Sequence, residues 1–215
     1  MRSHYLRAAA AAGSGPYTGD IAVAHHDSPY ISVYPWDSVN SSGFGTKYSN
    51  PSTLPAGNGW SVAFSPNGQY IAVGCNGTPS INVYPWSASG FGTKYSDPST
   101  LPAGLATGVA FSPDGANLAV AHTQSPYLSV YSWSSSGFGT KYSNPSSLPP
   151  NSGYGVAFSP DGSDIAVVDP FSSKGITVYP WSSSGFGTKY SDPSTIPTGV
   201  PQSVAFSPDG TVLAM

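Results

Sequence analysis

The sequence predicts an all-β fold, a β-propeller of four to five four-stranded antiparallel blades of about 47 residues each. Three observations carry that expectation. The phrase Val-Ala-Phe-Ser-Pro-Asn/Asp-Gly begins at Val62, Val109, Val156 and Val204, and Gly-Phe-Gly-Thr-Lys-Tyr begins at Gly43, Gly90, Gly137 and Gly185, so both recur at intervals of 47, 47 and 48 residues. Between them, apolar and β-branched runs alternate with Gly, Pro, Asn and Ser clusters, the pattern of short strands joined by tight turns. The 25 Gly and 22 Pro stand at fixed positions of the repeat, where they punctuate turns.

The third repeat shows the elements in order. Val109 to Ser112 reads as a first strand, Pro113-Asp114-Gly115 as a tight turn, and Leu118 to Ala121 as a second strand. Leu128 to Trp133 reads as a third strand and Gly139 to Tyr142 as a fourth, with Asn144 to Gly153 leading to the next copy. A unit of this size cannot bury its apolar face alone, so neighbouring copies must stack.

The chain starts and stops out of phase with this repeat. Asp20 to His25 matches a second strand, Ala11 to Thr18 lacks the Val-Ala-Phe pattern, and Val204 to Ser207 adds a first strand at the other end. Residues 1–19 are therefore expected to form a flexible or atypical leader and residues 20–215 the repeat domain. A ring must hide its strand edges, so Ser203 to Ser207 is expected to complete the blade begun by Ile21 to Ala24. An open arc, closed by a second copy or by further blades, is the other outcome.

These residues resemble the WD-repeat propellers, whose innermost strand often reads Val-Ala-Phe-Ser-Pro-Asp-Gly. The third-strand tryptophans Trp36, Trp86, Trp133 and Trp181 fit the same pattern. The resemblance covers roughly residues 20 to 215. It departs where Trp is followed by Ser87, Ser134 and Ser182, with Asp only at Asp37, and where no Gly-His pair precedes the first strands. The Gly-Phe-Gly-Thr-Lys-Tyr phrase is similar to repeats of predicted phage virion-associated proteins, which implies a virion- or surface-associated structural role.

Composition narrows the function classes. The net charge is −3, all ten acidic residues are Asp, and four of the seven basic residues are the evenly spaced Lys47, Lys94, Lys141 and Lys189. That leaves no basic stripe, and nucleic acid is not an expected partner. No apolar run approaches the ~20 residues that span a bilayer, so membrane insertion is not expected. Arg2 and Arg7 before Ala8 to Ala12 have the charge of a signal peptide but too short an apolar stretch, and localisation is left open. The lone Cys75 cannot form an intrachain disulfide.

No enzyme is expected. There is no Gly-x-Ser-x-Gly elbow, no pair among the ten Asp stands out for acid–base work, and no helix or Gly-Lys-Ser/Thr follows the Gly-Phe-Gly phrase. His25, Cys75, His122 and Asp169 share one column at the ends of second strands. Stacked sheets lie ~10 Å apart whereas the ligands of one zinc spread over ~4 Å, so these side chains are expected to bond the following turn, with no metal and no cofactor. Asn67, Asp114, Asp161 and Asp209 are turn formers. The repeated Trp and the third-strand Tyr are expected to pack between blades and not against sugars.

Antiparallel blades place the first-to-second and third-to-fourth turns on one side of the disc and the second-to-third turns and inter-blade links on the other. The repeat is nearly invariant on the first side and variable on the second. There Trp60 and Tyr154 are candidate aromatic anchors, with Asp27, Asn76, Gln124, Phe171 and Lys174 as adjustable contacts. The expected function is a non-catalytic interaction scaffold for a protein partner. A carbohydrate-binding propeller with a glycan partner is the alternative, and a lactonase- or lyase-like propeller enzyme a more distant one.

Overall fold

The computed structural model describes residues 7–9, 18–195 and 199–215. Its strands fall into four four-stranded antiparallel sheets and one hairpin. The first blade joins β1 (Arg7–Ala9), β2 (Thr18–Ala24), β3 (Ile31–Asp37) and β4 (Gly43–Phe44). The second joins β5 (Gly59–Phe64), β6 (Tyr70–Cys75), β7 (Ile81–Ser87) and β8 (Gly90–Phe91). The third joins β9 (Ala106–Phe111), β10 (Asn117–His122), β11 (Leu128–Ser134) and β12 (Gly137–Lys141). The fourth joins β13 (Gly155–Phe158), β14 (Asp164–Val168), β15 (Ile176–Ser182) and β16 (Gly185–Phe186), and β17 (Ala205–Phe206) pairs with β18 (Leu213–Ala214).

The opening blade corrects one expectation. Its first strand is β1, with Arg7, Ala8 and Ala9 opposite Ala24, Val23 and Ala22. The Ser203 to Ser207 segment does not fill that place, because β17 pairs with β18 instead. A ladder needs only backbone N–H and C=O groups, so an alanine segment serves without the Val-Ala-Phe pattern. Of the expected leader, residues 1–6 and 10–17 lie outside the described residues. Among the described residues, no ladder joins the β17–β18 hairpin to β1 or β2.

The inner strands β1, β5, β9, β13 and β17 pack in succession. Alternate side chains of each blade point to opposite neighbours. Leu118, Val120, Tyr131 and Trp133 pack with Ala72, Ile81 and Val83 of the second blade, while Ala119, Ala121, Leu128 and Val130 pack with Val156, Phe158, Ile165 and Trp181 of the fourth. The core is thus a series of seams between sheets.

Aromatic rings lock those seams. The tyrosines of the first three Gly-Phe-Gly-Thr-Lys-Tyr phrases meet the next blade's tryptophan edge to face, Tyr48 with Trp86 at 4.9 Å, Tyr95 with Trp133 at 5.1 Å and Tyr142 with Trp181 at 4.9 Å between ring centres. The phenylalanine of the same phrase closes on its own blade's tryptophan, as Phe138 does on Trp133 at 5.0 Å. Trp86, Trp133 and Trp181 are consequently 7%, 5% and 7% exposed. They lie between blades, as the sequence leads one to expect.

The Ser-Pro-Asp/Asn-Gly turns follow one bonding scheme. Ser159 Oγ donates to Asp161 Oδ1 at 2.6 Å and accepts the Asp164 N–H at 2.9 Å, while the Gly162 N–H reaches the Ser159 carbonyl at 2.9 Å. Gly162 sits at φ 74°, a conformation that a side chain strains. The same set recurs at Ser65, Ser112 and Ser207. The turn aspartates therefore serve the turn, and hydrogen bonds from serine and backbone hold Asp161 and Asp209 down to a pKa of about 2.

Candidate functional site: the variable loop face and the blade seams

The variable loops and the links that enter the first strands meet on one side of the disc. The Gly59 N–H donates to the His25 carbonyl at 2.9 Å, the Asn76 N–H to the Asn58 carbonyl at 3.1 Å, and the Gly153 N–H to the His122 carbonyl at 3.1 Å. Leu105 N–H donates to Thr123 Oγ1 at 3.1 Å, and Ser152 Oγ to the Thr123 carbonyl at 2.9 Å. The first three loops are thereby tied to the link that enters their own blade, or to the link or first strand of the following one.

A register shift sets the position of Trp60. Gly59 lies opposite Cys75 and Ser61 opposite Gly74, so Trp60 is the extra residue of a bulge in β5. Bulges re-aim side chains at the rim of a sheet, and here the Trp60 ring lies 4.8 Å from the ring of His26 on the preceding blade. Tyr154 enters β13 at the matching repeat position, and its ring meets Phe171 edge to face at 5.5 Å. Trp60 and Tyr154 are both half-buried, and Phe171 is 60% exposed. Of this pair, Phe171 presents the apolar surface and Tyr154 supports it.

The other sequence-derived candidates stand on separate loops. Asp27, Asn76 and Gln124 are exposed, with the Asp27 and Gln124 carbonyls closing their turns onto the N–H groups of Tyr30 and Tyr127, each at 2.8 Å. Lys174 is half-buried and its ammonium pairs with Asp192 at 3.0 Å. The structure brings Tyr154 against Phe171 directly and distributes the remaining residues over four loops of one face.

The column of potential ligands bonds locally. His25 Nε2 meets Ser32 Oγ at 3.0 Å and Cys75 Sγ reaches the Pro79 carbonyl at 3.4 Å. His122 Nδ1 lies 2.8 Å from the Gln124 carbonyl and Nε2 lies 2.9 Å from Ser129 Oγ. A carbonyl only accepts, so Nδ1 carries the proton and Nε2 accepts from serine. Burial pushes the His122 pKa down to about 4. Asp169 accepts the Ser172 N–H at 2.8 Å, and burial raises its carboxyl above the usual range.

Residues 52–81 match the WD40 family, described as WD domain, G-beta repeat. A chain from the crystal structure of the mitotic checkpoint complex superposes with a TM-score of 0.63 at 16% identity, over 90% of this chain and 56% of that one. A chain of hydrazine synthase from Kuenenia stuttgartiensis gives a TM-score of 0.61 at 15% identity, over 90% and 51%. The chain has a β-propeller fold, and one of its segments matches a WD repeat. It spans about half the length of these solved structures. No curated protein matches its sequence.

The opposite side of the propeller holds clefts between blades, which the sequence reading did not single out. Their shape depends on the second-strand residue that precedes the buried apolar run at the equivalent repeat position, Asp20, Tyr70, Asn117 or Asp164. Between the first and second blades Asp20 Oδ2 accepts the Trp86 indole N–H at 2.9 Å. Between the second and third, Tyr70 fills the space, its ring 5.4 Å from Trp133 and 5.9 Å from Tyr95. Between the third and fourth, the shorter Asn117 leaves a cavity of about 430 Å³ lined by residues that include Asp114, Asn117, Tyr142, Asp161 and Trp181. The signal was present in the sequence as one varying column on an otherwise repeated face.

Proposed function

We propose that the propeller is a non-catalytic interaction scaffold whose variable loop face docks a protein partner, in a virion- or surface-associated setting. The observation that carries this reading is the Phe171–Tyr154 pair, an aromatic side chain 60% exposed on a variable loop and backed at 5.5 Å by a second ring. Exposed aromatics held rigid by neighbours are the side chains that dominate interface energetics. Around it, Trp60, Asp27, Asn76, Gln124 and Lys174 supply contacts that differ from blade to blade, whereas the turns of the other face repeat.

The test places a photo-crosslinking residue at position 171 on the loop face or at position 183 on the opposite face. A discrete protein adduct from position 171 is expected, and Trp60→Ala with Tyr154→Ala should reduce it without lowering the melting temperature. Adducts arising only from position 183, or equal loss of adduct and of stability in the two variants, would overturn the reading.

A further inference from the structure

We infer that two copies of this chain join end to end, the β17 segment of each completing the first blade of the other in place of β1, so that Tyr190 and Asp164 of one protomer close on the partner's Trp36. The joint is separate from the variable loop face. The seam between the first and second blades shows what such a joint contains. There Trp86 meets Tyr48 at 4.9 Å and Phe64 at 5.8 Å between ring centres, and its indole N–H donates to Asp20 Oδ2 at 2.9 Å. Tyr190, Phe206 and Asp164 hold the same repeat positions one seam beyond the fourth blade. The Tyr190 hydroxyl donates to Asp164 Oδ1 at 3.0 Å, yet the β17–β18 hairpin carries no tryptophan and the tyrosine stays 49% exposed. A cleft of about 370 Å³ remains there, lined by residues that include Asp164 and Pro208.

The first blade holds the other half of that seam. Trp36 is half-buried where its three counterparts are buried, and among the described residues its ring meets Phe44 and no tyrosine. Tyr34 is half-buried too, whereas Tyr84, Tyr131 and Tyr179 are fully buried and bond to the links that precede their blades. Thr195, on the link after the fourth blade, stands at the position of Thr53 and Thr100, the carbonyl acceptors of two of those bonds. The inner strand differs as well. Ala8 opposite Val23 and Ala9 opposite Ala22 take the register places of Val62 opposite Val73 and Ala63 opposite Ala72. Val204, Ala205 and Phe206 carry the Val-Ala-Phe phrase that this blade lacks. Each end thus presents what the other wants, which selects a second copy as the occupant. The exchange gives up ladders of three and two residue pairs, and the burial of Tyr34, Trp36, Tyr190 and Phe206 repays it. Four blades from each copy make one ring of eight, a size that propellers adopt, by a head-to-tail contact that closes on itself.

Sedimentation equilibrium and cysteine pairing on the full chain test the joint. The 22.1 kDa chain is expected to sediment as a dimer. Tyr190→Ala removes a half-exposed ring outside the blade cores and should weaken the association by about tenfold or more with an unchanged circular dichroism spectrum. In a Cys75→Ser background, Ala22→Cys and Ala205→Cys are made in separate chains, which are mixed and oxidised. Residues directly opposite on neighbouring strands hold their Cβ atoms ~4.5–5.5 Å apart, so the mixture should yield a disulfide-linked dimer and neither chain alone should. With both substitutions in one chain, a linked dimer is again expected, and an internally linked monomer would show that the chain closes on itself and overturn the inference. A monomer at every concentration, a dimer indifferent to Tyr190→Ala, or a series of masses beyond the dimer would overturn it equally. Should Cys75→Ser fail to fold, because Cys75 is buried, the sedimentation of Tyr190→Ala against the unsubstituted chain decides.

Discussion

Tyr131 donates its phenolic hydrogen to the carbonyl of Thr100 at 2.9 Å, joining the third strand of the third blade to the link that precedes it. Tyr84 makes the same bond to Thr53 at 2.9 Å and Tyr179 to Ser147 at 2.7 Å. All three rings are fully buried, and burial raises all three hydroxyls far above their ordinary pKa. The bond therefore anchors each proline-containing link beneath an otherwise apolar seam.

Tyr131→Phe keeps the ring and strands the Thr100 carbonyl. The loss expected for one buried hydrogen bond is about 1–2 kcal/mol. Urea unfolding should show a lower midpoint with an unchanged slope, and a midpoint equal to that of the wild type would contradict this anchoring role.

His122 sets an acid limit on stability. Its folded pKa of about 4 lies below the ordinary value of 6.5, so the unfolded chain takes up the proton first. The stability is fully present above pH 6.5 and is lost as pH falls toward about 4, by an amount of roughly 3 kcal/mol for a shift of this size. His122→Asn should flatten the stability profile across that window. A profile of unchanged steepness would assign the acid sensitivity to other groups. Asp161 and Asp209, held at about 2, act in a separate window, with stability present above pH 3.8 and lost as pH falls toward 2.

Gly108 marks the closest approach of two inner strands. A Cβ there would lie 2.6 Å from the Tyr154 carbonyl oxygen and 3.1 Å from the Gly155 Cα, both backbone atoms that cannot swing aside. Gly108→Ala should separate the third and fourth blades and cost about 2–3 kcal/mol, an overpacking penalty. Thermal unfolding reads the loss, and a melting temperature unaffected by the substitution would show that the strands have slack.

Much of this architecture was legible because turn chemistry and strand period coincide in every copy. The Ser-Pro-Asp-Gly turns, the third strands that carry Trp36, Trp86, Trp133 and Trp181, and the inter-blade role of the last three of those rings all follow from residue type and spacing. The first strand of the third blade begins earlier than its apolar run, at Ala106, because a register shift between Ala121 and His122 lets Ala106 pair with His122. Backbone pairing of this kind leaves no side-chain pattern, which is also why Arg7–Ala9 went unrecognised as a strand. On the loop face, Trp60 and Tyr154 read as open anchors, yet the rings of His26 and Phe171 lie against them. Which side chain covers which is decided by contacts between segments far apart in the chain, and a single sequence does not display them.

The three ring clasps all run in one direction, a tyrosine from each of the first three blades resting on the tryptophan of its successor. Modules joined by a uniform connector are interchangeable, so such a chain can lengthen by copying a unit without redesigning the joint. The column of Asp20, Tyr70, Asn117 and Asp164 is where that freedom ends. A duplicated third module would bring its aspargine-lined hollow along with it, whereas a duplicated second module would bring a plug.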